Sequence, residues 1–439
     1  MADITIMKTP AETGLAQLFE SLKGSLPGDL SVRETAMAGF AERGLPHRRI
    51  EEFKYTDLRA LLREAAPFAE KPGSAELAVA FNHAKAFTGL AAARLTIVNG
   101  HVATELSEAT AFPAGVEVAS MNEALARGHA LLGWLGAVEA ARGNPVYELN
   151  TAFMADGAVI RIPAGTAVEQ PLHLRFVNSG SQAFATATRV LVVVEEGASV
   201  TVLESHEGPD GLACQPNDVI EFVVGDRARV RHVRLNAEGR DALALSTLTA
   251  RLGAEVSFNT INVVSGAQVS RHQVFVTFAG ENSTARIDGA NLLRGRQHAD
   301  ATLLVDHAVP HCTSRELYKT VIDDEATGIF QGKIIVRPDA QKTDGGMKSD
   351  ALLLSERATM NNKPELEIFA DDVVCGHGAT CGALDEDLLF YLRSRGLPAA
   401  EAESLLLQAF LGQAVETVEN EAVHDALVEV VEGWLQARH

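Results

Sequence analysis

The segment 370–382, ADDVVCGHGATCG, sets the Cys375 thiol and the His377 imidazole two residues apart, with glycines around them and two aspartates just upstream. In an extended strand, residues i and i+2 share a face, so the two side chains would project together, and Gly376 would leave room beside the backbone. Thiolate and neutral imidazole both ligate iron or zinc, and iron-sulfur clusters prefer thiolate. The plainer reading is a buried, inert cysteine beside a histidine bonded to a backbone carbonyl. On these residues alone that reading stays ahead, because free cysteine is among the most buried residue types. Nucleophilic catalysis by Cys375 is disfavoured, since side chains at i and i+2 point outward in parallel.

A second group lies in DHAVPHCTSRE, where Asp306, His307, His311 and Cys312 fall within seven residues. His311 and Cys312 are the weaker metal-ligand candidates. A proline separates the two histidines, so they cannot share a helix face as a zinc-protease pair would, and solvated loop residues are the competing reading. DGGMKSD (344–350) lacks the glycine directly before lysine that a phosphate loop needs, so ATP hydrolysis by this chain is not expected. No GxSxG elbow or HExxH is present, and no catalytic residue is assigned.

These residues must be positioned by the rest of a 439-residue chain, long enough for two or three modules or for one elongated repeat architecture. A formal charge of -20 argues against nucleic-acid binding, which needs a basic face. The N-terminus lacks a secretory pattern and no apolar run reaches membrane-spanning length, so a cytoplasmic protein is expected. The four cysteines, Cys214, Cys312, Cys375 and Cys381, form no CxxC pair and no disulfide framework; reduced thiols are expected.

Residues 1–150 read as largely helical, including a stretch at 120–141, with a basic and aromatic segment GLPHRRIEEFKYTDL at 44–58 and a turn at Asn144-Pro145. From about residue 155, period-2 strands follow one another for over 200 residues (AVIRI, RVLVVV, VIEFVV, RVRHVRL). Glycine turns recur at Gly197, Gly225 and Gly253, at successive intervals of 28, with Gly280 one residue short of the next. That spacing predicts stacked coils, each burying its apolar face against its neighbours, over 151–383; a large β-sandwich is the alternative. Helices return over 384–439, with Asp385 as an N-cap, Gly396 as a stop and Pro398 opening the next helix. Leu407, Phe410, Leu411, Ala414 and Val418 make one stripe, and Val423, Leu427, Val430, Val431 and Trp434 another. Mutual packing and a docking platform are both open for them.

Three segments together carry a resemblance: GLPHRRIEEFKYTDL, the run from His311 to Thr380, and LDEDLLFYLRSRG (384–396). They resemble the SufB/SufD family, scaffold subunits of the SUF iron-sulfur cluster assembly system, and CGHGAT with FYLRSRG favours the SufD branch. The resemblance implies a right-handed parallel β-helix core flanked by an N-terminal helical region and a C-terminal helical domain. It further implies pairing with SufB through the β-helix, a homodimer when isolated, and docking of the ATPase SufC on the C-terminal helices, for which Phe390 and Tyr391 are candidates. ATP hydrolysis is then expected on SufC, and the chain itself is a non-catalytic scaffold. His377 corresponds to the family histidine at the SufB interface where a nascent cluster, or iron, is held transiently; Cys375 is its neighbouring thiol. Cys381 stands where relatives carry an apolar residue, and the match at Cys312 and Ser314 does not extend to the two histidines beside them. A polysaccharide-acting β-helix enzyme and a purely structural oligomerisation module are the competing classes; the first is usually secreted and rich in aromatics, which here make up only 5%.

Overall fold

The computed structural model describes residues 8–107 and 112–438. Two long sheets face each other, and from residue 156 onward the chain alternates between them strand by strand, every successive strand in a sheet running parallel to the last. The first sheet holds β3 (Glu117–Ser120), β4 (Asp156–Ile162), β6 (Phe184–Val194), β8 (Cys214–Val224), β10 (Leu243–Leu252), β12 (Val269–Phe278), β14 (His298–His307), β16 (Thr327–Val336) and β18 (Thr359–Ile368). The second holds β2 (His101–Val102), β1 (Ala93–Val98), β5 (Leu172–Val177), β7 (Ser199–Glu207), β9 (Arg229–Ala237), β11 (Ser257–Val264), β13 (Thr284–Leu293), β15 (Thr313–Ile322), β17 (Asp344–Leu353) and β19 (Val374–Gly382). This is a parallel β-solenoid of about eight coils, as the strand grammar and glycine spacing predict.

Alternation explains the core. Val190, Val192 and Val194 of β6 face inward with Ile220, Phe222 and Val224 of β8, and meet Leu172, Leu174, Val200 and Val202 from the opposite sheet. Of the spaced glycines, Gly225 and Gly253 take equivalent places where consecutive turns stack, with Gly280 one residue on and Gly197 two. A Cβ at Gly253 would lie 2.4 Å from Asp226 Oδ1, and one at Gly280 2.1 Å from Ala254 N, while Gly197 has open space around it. The same turn of each coil places one residue in the left-handed region, in order Gly197, Arg227, Glu255, Asn282, His311 and Lys342.

The solenoid interior is not uniformly apolar. Glu204 is fully buried and accepts hydrogen bonds from His206 Nε2 (2.5 Å), His232 Nε2 (3.0 Å) and Arg234 Nε (2.9 Å), while Arg234 also donates to Asn262 Oδ1 at 2.9 Å. Burial alone would raise the Glu204 pKa, but these donors hold it well below the usual carboxylate range.

Helices cover both outer faces. The N-terminal region contributes α1 (Pro10–Leu22), α2 (Leu30–Arg43), α3 (Leu58–Leu61), α4 (Ser74–His83), α5 (Met121–Arg127) and α6 (Pro145–Phe153). It is less helical than expected, because β1 to β3 lie within it and close one end of the solenoid: β2 returns antiparallel on β1, and β3 pairs antiparallel with β4. The expected continuous helix at 120–141 is broken, since Gly128 adopts a left-handed conformation (φ +66°) that ends α5 and single 3-10 turns follow. Asn144 proves to be an N-cap rather than a free turn, its side chain accepting from Val146 N at 3.0 Å to open α6.

The 44–58 segment is a strap along the outer face of the first sheet. Phe53 is buried under the Arg271 guanidinium at 4.0 Å, Thr56 bonds Asp300 and His298, and Gln331 donates to the Glu52 carbonyl at 3.1 Å. Its far end reaches the last coil, where Glu51 pairs with Lys363 of β18. The C-terminal helices α7 (Glu386–Ser394), α8 (Ala399–Val415) and α9 (Glu421–Gln436) fold back over the second sheet. Leu407, Leu411 and Ala414 of α8 and Val423, Leu427 and Val431 of α9 share one apolar cluster with Val233, Ile261, Leu292 and Val321 of the strands. The two stripes therefore pack on each other as well as on the solenoid.

Gly280→Ala is expected to lower stability by about 1–3 kcal/mol, because a methyl group there meets backbone rather than a movable side chain. Urea denaturation of the variant checks this; an unchanged midpoint would mean the turns do not stack this closely.

Candidate metal-ligand strand at the open end of the solenoid

The two ends of the solenoid differ. One is closed by antiparallel strands; at the other, β18 and β19 are the last strands of their sheets and pair on one side only. β19 lies in unbroken parallel register on β17, with Gly345 opposite Cys375, Met347 opposite His377 and Ser349 opposite Ala379. Met347 faces the interior core, so Cys375, His377, Ala379 and Cys381 occupy the same inward face, as the spacing predicts. With no further coil above them, His377 and Cys381 are exposed and Cys375 is half-buried, packed against the interior core. Burial, together with the Asp344 and Glu316 carboxylates, pushes the Cys375 thiol up; the Gly345 amide facing the sulfur opposes this in part.

Among the described residues, no group of three or more His, Cys, Asp or Glu side chains is gathered closely enough to hold a metal ion. Cys375 and His377 thus set a thiol and an imidazole on one face, open to whatever covers the end. The rim mixes exposed apolar side chains, Ile368, Phe369 and Val374 (73% exposed), with the exposed acids Glu367, Asp371 and Asp372.

The 306–312 group is not brought together. His307 points into the interior, stacks on Phe278 at 4.5 Å between ring centroids and meets Ser314 Oγ at 3.0 Å; burial pushes its pKa down to about 4. Asp306 pairs outside with Arg337 at 2.9 Å. His311 is the exposed left-handed turn residue of its coil, which accounts for its backbone position. Cys312 is fully buried, its thiol donating to the Gly280 carbonyl at 3.4 Å.

One site residue is missed by sequence reasoning. Glu316 is 2% exposed and faces the interior one rung below Met347, yet neither carboxylate oxygen has a hydrogen-bond partner among the described residues. Burial pushes its pKa up to about 8, opposed in part by the nearby Ser314 hydroxyl and the Arg315 guanidinium. The neighbouring interior Tyr318 hydroxyl is likewise buried without a partner.

On the outer face of the same strands, Lys319 donates to Asp350 at 2.7 Å and Thr380 of β19 donates to Asp350 at 2.6 Å, with all three residues in one rung. Lys319 lies 4.6 Å from the centroid of the Phe410 ring of α8. Burial would raise Asp350, but Lys319, Thr380 and Lys348 outweigh it and hold the carboxyl low. Three residues separate β19 from helix α7, and the Asp385 side chain accepts from Asp387 N at 2.9 Å and Leu388 N at 3.0 Å. It buries no residue, and leaves Leu388, Phe390 and Tyr391 exposed by 51%, 73% and 54%. No helix among the described residues is long and apolar enough to cross a membrane.

A protonated Glu316 is favoured by folding, so its contribution to stability is full below about pH 4.5 and is lost as pH rises toward about 8. Glu316→Gln is therefore expected to gain stability relative to wild type between pH 6 and pH 8.5. Urea midpoints at both values check this; a gap independent of pH would contradict the buried acid.

Residues 176–410 match the family described as SUF system FeS cluster assembly, SufBD core domain, and residues 22–174 match the SufBD protein N-terminal region. A SufBD family protein of Synechocystis sp. is 36% identical over 388 residues, covering 85% of this chain and 84% of the relative. The iron-sulfur cluster assembly protein SufD of Escherichia coli is 30% identical over 383 residues, covering 87% of each. SufD of Bacillus subtilis is 29% identical over 307 residues, covering 65% of each. A parallel solenoid between helical layers, with its thiol-imidazole strand at the open end, is thus matched along nearly its whole length, and the chain belongs to the SufBD family of the SUF iron-sulfur cluster assembly system.

Proposed function

We propose that this chain is a non-catalytic scaffold subunit of the SufD type, which pairs with SufB through the open end of its solenoid and there helps to hold iron or a nascent iron-sulfur cluster. The observation that carries the reading is the coincidence of two features on β19. It is an unpaired sheet edge, and its inward face carries Cys375 and His377. An unpaired edge is a template for another strand, and natural proteins normally protect one. Here exposed Phe369 and Val374 leave apolar surface at the edge, beside Lys363, Pro364, Glu365 and Glu367 of β18. A SufB solenoid docked on β18 and β19 would continue both ladders and cover the two ligands. In isolation a second copy of the chain would serve the same edge.

The cluster is cargo, so its ligands must bind and later let go. A thiolate suits iron strongly, and an imidazole is the more readily displaced partner. Cys375 rests as a thiol raised by burial, so metal binding must release its proton.

SufC, the ATPase, would dock on the C-terminal helices, with the exposed Phe390 and Tyr391 of α7 as anchors. Motion of those helices has two routes to the ligand strand. In sequence, α7 follows β19 directly; in space, Phe410, Lys319, Asp350 and Thr380 form a continuous contact from α8 to β19. ATP hydrolysis stays on the partner, and the complex works in the cytoplasm.

Co-expression with SufB and SufC, followed by anaerobic purification, tests the reading. His377→Ala is expected to leave the complex intact while iron and acid-labile sulfide fall several-fold. Unchanged cluster content would make β19 a purely structural edge and the chain an oligomerisation module. Joint replacement of Phe390 and Tyr391 by alanine is expected to weaken SufC retention by tenfold or more, as for aromatic anchors elsewhere; undiminished retention would place SufC on another surface.

A further inference from the structure

Beneath β19 the interior carries one carboxylate with nothing to hold it. Both oxygens of Glu316 lack a partner although the residue is buried, a condition that marks strain, chemistry or an unseen ion. Two glycines connect it to the ligand strand. Gly345 sits between Cys375 and Ser314 in the ladder, so that rung has no side chain, and the Cys375 sulfur leans into the gap, 3.4 Å from where a Gly345 Cβ would be. Met347 occupies the rung between Glu316 and His377, but its sulfur lies across the interior over Gly332, which has no Cβ to exclude it. Glu316 and His377 therefore share one inward column, two strand spacings or roughly 10 Å apart between backbones, and Cys375 heads the adjacent inward column, two residues along the strand.

We propose that Glu316 is an interior oxygen ligand of the metal held by Cys375, so that this chain's own share of the site is thiolate, imidazole and carboxylate. The inference rests on the reading of β19 as the metal strand and adds a residue to it. The three groups are not in contact before an ion arrives. Glu316 can turn toward the ligand strand with only the nearby Ser314 hydroxyl to leave, and unbranched Met347 can yield by rotation. A divalent ion such as Fe(II), with mixed sulfur, nitrogen and oxygen preference, fits this set better than a purely soft ion does. On binding, Glu316 releases its proton and its carboxylate supplies negative charge that offsets the ion inside the solenoid.

The test uses the full chain in a Cys381→Ser background, which removes the other exposed thiol, titrated without oxygen with Co(II) as a spectroscopic substitute for Fe(II). The expected result is a thiolate-to-Co(II) charge-transfer band that Cys375→Ser abolishes. Glu316→Gln should weaken binding about 10-fold or more and change the visible d-d bands, while Glu316→Asp partly restores both. Glu316→Asp, which keeps a shorter carboxylate, serves if Glu316→Gln folds poorly, since wild-type affinity and spectrum in it would contradict the ligand role. Wild-type affinity and spectrum in Glu316→Gln, with the band still lost in Cys375→Ser, would overturn the role of Glu316 alone. Absence of the band in the parent chain, or its indifference to Cys375→Ser and His377→Ala, would overturn the metal strand itself and Glu316 with it.

Discussion

Everything in this molecule depends on one constraint: a parallel ladder of backbone hydrogen bonds that continues from coil to coil and has to stop somewhere. At one end it is terminated by antiparallel strands β2 and β3. At the other it stops at β18 and β19 with a full row of unpaired donors and acceptors in each sheet. Because the register holds without a bulge through the last rung, the side chains of that rung are displayed as though another coil were to follow. The residues with metal-binding chemistry are on that rung.

Burial elsewhere shows how much polar character the solenoid tolerates inside. The Glu204 cluster is closed, since its carboxylate is bonded by two histidines and an arginine. Such groups are costly to desolvate and repay the cost only when their partners are in place. Glu316 lies in the same kind of interior, yet lacks any such partner. The contrast separates a structural polar core in the early coils from an unsatisfied one beneath the ligand strand. The outer layers add a connection: helices that close the second sheet also touch, through Phe410 and Lys319, the rung that ends in Thr380.

Much of this was legible in the sequence. Period-2 alternation and the recurrence of glycine-containing turns give the coils, because each coil places its turn above the previous one, although only Gly225 and Gly253 of the spaced glycines take equivalent places. The i, i+2 spacing gives the shared face of Cys375 and His377, and Asp385 announces α7. What was hidden has physical reasons. Strands β1 to β3 are short and sit among helices, so they leave little periodicity. In SRELYKT the polar Glu316 points inward and Leu317 outward, so binary pattern assigns the wrong face until Tyr318 and the register are known. The histidines beside Cys312 suggest a ligand group in one dimension, whereas a tight turn sends them to opposite sides of the wall.

The central claim is that the open end of the solenoid, and not another surface, is the assembly interface that covers Cys375 and His377. Amide hydrogen exchange of the chain alone and in complex with SufB measures this directly. The account predicts protection concentrated in residues 359–382, in both β18 and β19, with the early coils unchanged. Protection confined to other segments, with 359–382 exchanging as fast in the complex as alone, would contradict it.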